Sequence, residues 1–153
     1  MKKLLILALI TQGLLAGEIT LTDQNATDSV YLLPLKKYPK WLTQAELENG
    51  KKVQFVSVKS LINVYQHQTY FKKHKFIDAN ITKISVQDFT SGRKIDAKEA
   101  VYLFGSSIVG PHGDDLIPFE NMDNAKLFML KNGGTKILKF DRLSEGLIRY
   151  LDM

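Results

Sequence analysis

Trp41-Leu42-Thr43-Gln44-Ala45-Glu46-Leu47-Glu48-Asn49-Gly50-Lys51-Lys52-Val53-Gln54-Phe55-Val56-Ser57-Val58 is the stretch whose reading decides the fold. Apolar and β-branched residues stand on either side of Asn49-Gly50, a dipeptide favoured in the type I′ turn of a two-residue hairpin, so Trp41–Leu47 and Lys52–Val58 are expected to pair as antiparallel strands. Beyond the hairpin, Ser60 is placed to cap a helix in which Leu61, Ile62, Val64 and Tyr65 recur at helical spacing, running to about Phe71. Ile81–Phe89 follows as a strand with Thr82, Ile84 and Val86 on one face.

The same order then returns. After the turn at Thr90-Ser91-Gly92, Val101–Ser107 and Leu116–Phe119 read as strands. Asn121 or Asp123 can cap a helix through Ala125, Phe128 and Met129, which Asn132-Gly133-Gly134 ends, and Thr135–Phe140 is a last strand. Ser144 caps a short terminal helix carrying Leu147, Ile148 and Leu151. The expected class is α/β (α+β): two ββαβ-like units, about 37–90 and 91–153, packed together because neither buries its sheet alone.

Upstream, Met1-Lys2-Lys3 followed by the apolar run Leu4–Leu15 and the small residues Ala16-Gly17 has the order of a secretory signal peptide, and the run is too short to span a bilayer. Residues 18–36, rich in Thr, Asp and Asn, read as a flexible linker. Leu14-Leu15-Ala16-Gly17 resembles the lipoprotein signal, but Glu18 stands where the lipidated cysteine belongs, so no stable membrane anchor is expected. The chain reads as soluble and periplasmic after cleavage. The 153 residues contain no cysteine, which removes disulfides, thiolate metal sites and thiol catalysis. Hydrophobic content of 44% and charged content of 24% are those of an ordinary globular chain. The formal charge of +5 falls to +3 without Lys2 and Lys3, and it is not clustered; no nucleic-acid partner is expected.

Two segments share the pattern Asp-x-Asn-x-Thr: Asp23-Gln24-Asn25-Ala26-Thr27 and Asp78-Ala79-Asn80-Ile81-Thr82. Each holds an Asn-x-Thr acceptor triplet with an acidic residue two positions before it, as some bacterial periplasmic oligosaccharyltransferases require, which makes Asn25 and Asn80 candidate glycosylation sites and Asn25 the more accessible. Of the histidines, His67 and His74 are poorly spaced for a shared metal, and Lys72, Lys73 and Lys75 would repel a cation beside His74. His112 differs. It lies in Gly110-Pro111-His112-Gly113-Asp114-Asp115, read as a surface turn between strands that can present an imidazole ligand, with Met122 a weaker sulfur candidate and Met129 core filling. No nucleophile elbow, phosphate loop or paired acid and base is present, so catalysis has no support.

The second half resembles the NosL family, the copper-handling accessory proteins of nitrous-oxide reductase. The resemblance rests on Asp88-Phe89-Thr90-Ser91-Gly92, Ile95-Asp96-Ala97-Lys98-Glu99-Ala100 and above all Gly110-Pro111-x-Gly113-x-x-Leu116-x-Pro118-Phe119, with Asp123, Ala125, Phe128, Asn132-Gly133-Gly134 and Ile137–Asp141 beyond them. Lys37-Tyr38-Pro39-Lys40-Trp41 and the hairpin around Gln44 extend it to most of 37–153.

What it implies is a periplasmic chaperone with paired ββαβ units, similar in fold to an organomercurial lyase, that passes copper(I) to a client enzyme. The lyase's chemistry depends on cysteines, so no enzyme is implied here. Family members carry Cys-x-x-Cys-Gly-Met before the Tyr-Pro pair, where this chain has Asp28-Ser29-Val30-Tyr31-Leu32-Leu33; the family's Gly-Pro-Met-Gly turn has His112 in place of methionine. Loss of soft sulfur ligands implies weak or shared copper binding. The alternative is a metal-free interaction or scaffold protein that kept the fold.

Overall fold

The computed structural model describes residues 17–153, so the signal-peptide reading of 1–17 lies outside them apart from Gly17. β1 (Thr43–Leu47) pairs antiparallel with β2 (Lys52–Phe55), setting Gln44 opposite Gln54 and Ala45 opposite Val53. Their turn is not type I′. Gly50 has φ +82° while Asn49 does not enter the left-handed region, and the Gly50 amide donates to the Leu47 carbonyl at 2.9 Å. This is the longer hairpin loop with one glycine in the left-handed position, and Asn49 serves by accepting the Lys51 amide at 3.1 Å.

Helix α1 (Val58–Gln66) is capped by Ser57 rather than Ser60: Ser57 Oγ accepts from the Ser60 amide at 3.3 Å. It stops at His67, and the expected continuation to Phe71 is a separate helix, α2 (Gln68–Lys73). β3 (Ile81–Gln87) pairs with β1 and with β4 (Lys94–Asp96), giving an antiparallel sheet of order β2-β1-β3-β4. Ile84 and Val86 are buried as expected, whereas Thr82, near the strand's start, is exposed.

The second half contributes β5 (Val101–Phe104), β6 (Ile117–Phe119), α3 (Met122–Asn132), β7 (Lys136–Lys139) and α4 (Glu145–Leu151). Asn121 and Ser144 cap the two helices. Its sheet order β6-β5-β7 repeats β2-β1-β3, so the two-unit reading of the sequence holds, but the boundary shifts because β4 stays with the first sheet.

One core joins the halves. Ala45, Phe55, Ile84 and Val86 from the first sheet pack with Leu61, Ile62 and Val64 of α1, and the same cluster takes Tyr102 and Leu116 from the second half and Ile148 and Leu151 from α4. The other face of the second sheet, Val101, Leu103, Ile117 and Phe119, is covered by α3 through Ala125. Both faces of β5 are therefore used, and the α4 helix returns across the boundary to α1.

The other face of the first sheet carries Gln44, Gln54, Ser85 and Gln87, and all four are buried. The cover is the segment read as a linker. Its first residues lie across this face: the Ile19 amide donates to Gln87 Oε1 at 3.1 Å, the Thr22 amide to Gln54 Oε1 at 2.9 Å, and Gln54 Nε2 to the Thr20 carbonyl at 2.7 Å. Ile19 and Leu35 pack with Leu42 and Val56 in a third cluster. The flexible-linker reading of 18–36 is thus corrected; its polar composition matches polar side chains beneath it.

Asp28 fastens this segment. Its buried carboxylate accepts the amides of Val30 (2.9 Å), Tyr31 (2.7 Å) and Val56 (3.0 Å) and the Ser60 hydroxyl (2.5 Å). Four donors lose their partner if the carboxylate is removed. Asp28→Ala is expected to cost at least about 3 kcal/mol in urea unfolding and to make residues 18–36 sensitive to protease, and an unchanged midpoint would show that the segment is held by other means.

Candidate functional site

The first turn of α1 positions one corner of the molecule. The Lys59 amide donates to Asp115 Oδ1 at 3.0 Å, while its side chain is wholly buried and its ammonium donates to the carbonyls of His112 (2.8 Å) and Leu151 (3.0 Å). It also pairs with Asp152 Oδ1 at 3.0 Å and lies 5.1 Å from the centre of the Tyr31 ring. A buried ammonium requires such a set, because a charge removed from water is stable only when paired and hydrogen-bonded. Three segments distant in sequence meet at one nitrogen.

Tyr31 completes the corner. Its hydroxyl donates to Asp152 Oδ1 at 2.8 Å, and its ring stacks on His112 with centroids 4.2 Å apart and planes 17° from parallel. Burial, the hydrogen bond to Asp152 and the charges of Asp152, Asp115 and Asp28 together push the phenol well above its ordinary range, so it remains a neutral donor.

The Gly110–Asp115 turn has a packing reason for its glycines. The Gly110 amide donates to the Gly113 carbonyl at 2.8 Å, a Cβ on Gly110 would come within 2.7 Å of Asp115 Cβ, and Gly113 has φ +78°. His112, Gly113 and Asp114 are exposed as the sequence suggests, and Pro111 is half-buried. Asp115 is not at the surface. It is buried, with Oδ1 accepting the Lys59 and Leu116 amides and Oδ2 without a hydrogen-bond partner in the described chain. Burial pushes its carboxyl up to about 6 against the opposing influence of Ser57, the two amides and Lys59.

Beside the turn is an open depression of about 870 Å³, lined by Pro111, His112, Gly113, Asp114 and residues 150–153. The donors it offers a metal are the imidazole of His112, the carboxylates of Asp114 and Asp152, and the thioether of the fully exposed Met153. Met122 is not among them: at the start of α3 it packs against the cluster of Val101, Leu103 and Phe119. His67 and His74 lie apart from this corner. His67 Nδ1 is 2.9 Å from the Asn63 carbonyl, and His74 lies against Tyr70 at 4.3 Å. Among the described residues no three His, Cys, Asp or Glu side chains form a metal-holding group.

Both acceptor asparagines are exposed and away from the turn, Asn25 in the segment over the first sheet and Asn80 before β3. Sequence reasoning missed Tyr31, Lys59 and Asp152. Lys59 stands three residues before Ile62, beside the apolar stripe of α1, where a lysine ordinarily reaches water; the long-range carbonyls of His112 and Leu151 and the Asp152 carboxylate keep it in.

A sequence model of the NosL family matches residues 18–148. The chain belongs to the NosL family. No curated protein matches it in sequence. Among solved structures, the copper chaperone NosL from Shewanella denitrificans is similar with a TM-score of 0.66 at 18% identity, over 84% of this chain and 97% of that one. The apo-NosL protein from Achromobacter cycloclastes, solved in solution, is 24% identical over 69% of this chain and 87% of that one, with a TM-score of 0.49.

The family match begins at Glu18, in accord with the ordered segment over the first sheet. Within that segment, Leu32 has φ +58°, a backbone conformation that ordinarily favours glycine. Tyr31 of this segment and His112 of the turn, far apart in sequence, are in contact.

Two outcomes test the corner. Lys59→Met removes the ammonium from two carbonyls and leaves Asp152 with the Tyr31 hydroxyl alone, and is expected to lose about 3–5 kcal/mol in thermal or urea unfolding. For Asp115, whose folded pKa is raised, the stabilising contribution is present below about pH 4 and is lost as pH rises through about 6. Asp115→Asn should remove a fall of about 2–3 kcal/mol from the unfolding profile between those pH values, and a profile as steep as that of the parent would assign the dependence elsewhere.

Proposed function

We propose that this NosL-family chain is an exported accessory protein that binds copper weakly, or jointly with a client, at the His112 corner during maturation of nitrous-oxide reductase or another copper enzyme. The observation that carries the reading is the contact of Tyr31 with His112, which joins the two places where the family pattern has sulfur ligands. The exposed imidazole faces an open depression that also has the Met153 thioether on its wall. A nitrogen donor with a single thioether is a poorer copper(I) set than paired thiolates, which suits a site finished by ligands of a client. The role is delivery rather than catalysis. The similarity to the Shewanella denitrificans copper chaperone and the signal-like order of residues 1–17 support the copper role and the periplasmic location respectively. No helix among the described residues is long and apolar enough to cross a membrane.

A second reading is a metal-free interaction protein, and Lys59 favours it. Its ammonium already binds the carbonyl beneath His112, and a fixed positive charge there opposes a second cation. Titration separates the two. The chain from Glu18 onward should bind one copper ion saturably under reducing conditions against a competing chelator, with His112→Ala weakening binding at least about tenfold, or about 1.4 kcal/mol. Absence of saturable binding by the parent chain, alone and with a client apo-enzyme, would sink the copper reading and leave the interaction protein.

A further inference from the structure

We propose that Asn25 is an N-glycosylation acceptor and that the fold withholds Asn80, although both lie in an Asp-x-Asn-x-Thr segment. Transfer requires the asparagine carboxamide and the flanking acidic and hydroxyl side chains to be free for an enzyme to grasp together. At the second segment all three are engaged. The Asp78 carboxylate accepts from Asn49 Nδ2 at 2.8 Å and pairs with the Lys51 ammonium, which holds its carboxyl below the usual range. Asn80 Nδ2 donates to both oxygens of Glu48, at 3.1 and 3.2 Å, while its Oδ1 accepts from Lys72. Thr82 Oγ1 donates to the Glu46 carbonyl at 3.1 Å. The backbone is committed as well, since the Asn80 carbonyl accepts the Glu48 amide at 2.9 Å and Ile81 begins β3.

At the first segment the side chains of Asn25 and Thr27 make no hydrogen bond among the described residues, and Asp23, Asn25 and Thr27 are all exposed. Asp23 Oδ1 accepts the Asn25 amide at 2.8 Å, and the Asp23 carbonyl accepts the Ala26 amide at 3.2 Å, so the acceptor stands on a tight, outward turn. The Thr27–Pro34 bridge and buried Asp28 anchor the far side of that turn. Asn25 thus projects from a folded surface without any need to unfold. The donor class is an oligosaccharide carried on a polyprenyl pyrophosphate. Nδ2 forms a bond to the sugar C1 and gives up one proton, while the C1–oxygen bond breaks and its electron pair leaves with the lipid pyrophosphate.

The proposal rests on the exported reading of residues 1–17, and the experiment separates the two. The full chain is co-expressed with a bacterial oligosaccharyltransferase that requires an acidic residue two positions before asparagine, once with its own residues 1–17 and once with an established export signal in their place. Intact mass and glycopeptide mapping should show one glycan, on Asn25. Asn25→Gln should abolish it, Asn80→Gln should leave it, and Asp23→Asn, which keeps an oxygen for the Asn25 amide but removes the charge, should reduce it at least tenfold. Short peptides spanning 21–29 and 76–84 should both be modified, which would assign the discrimination to the fold. Modification with the substituted signal alone would overturn the export reading and uphold Asn25. A glycan on Asn80 of the folded chain, none on Asn25 of the exported chain, or failure of the 21–29 peptide would each overturn the proposal.

Discussion

The ammonium of Lys59 is the point on which the arrangement of this protein depends. It sits within the first turn of α1, out of contact with water, and is compensated by groups from two other parts of the chain: the His112 carbonyl, and the Leu151 carbonyl with the Asp152 carboxylate. Tyr31 brings in a third, lying over the charge while donating to Asp152. A buried cation tolerates no missing partner, so the turn, the terminal helix and the Asp28–Leu33 loop are held in one relation to α1. Asp28 and Asp115 flank the same helix start and accept its polar groups, as the partial positive charge of a helix N-terminus favours.

The N-terminal segment is held by a different kind of force. The glutamines of the first sheet alternate with apolar residues, and their long uncharged amides can be buried provided each finds donors and acceptors. Residues 18–22 supply Gln54 and Gln87 with backbone groups, and Gln54 in turn donates to Gln44, whose own Nε2 has no partner among the described residues; this lets a polar sheet face act as an interface. An apolar face would have collapsed onto any apolar segment, whereas this one accepts a chain in a definite register.

Within the NosL fold, Tyr31 and His112 share one corner. The Asp28 carboxylate organises the loop from within, and the Tyr31 ring stacks on the His112 imidazole, which together favour a rigid loop beside an open depression. The charge beneath the turn sets a limit on how firmly one chain alone can retain a cation.

Most of the elements were legible in the sequence because their signals are local. The Asn49-Gly50 hairpin, the Asn121 and Ser144 caps, the Asn132-Gly133-Gly134 stop and the repeated strand-strand-helix-strand order depend on neighbours within a few residues, and so does the turn that presents His112. The errors came where a distant group decides the outcome. Residues 18–36 read as a linker because their partners, Gln54 and Gln87, lie far along the chain; Asp115 read as a surface carboxylate because the Lys59 amide that draws it in belongs to another half. The pair of Asp-x-Asn-x-Thr segments makes the same point, identical in pattern and both exposed, yet opposite in whether the asparagine and threonine side chains are hydrogen-bonded. Local sequence determined the elements, the turns and the chemical identity of each candidate group; tertiary structure alone decided which groups are buried, paired or free, because desolvation and hydrogen-bond partnership depend on what is near in space.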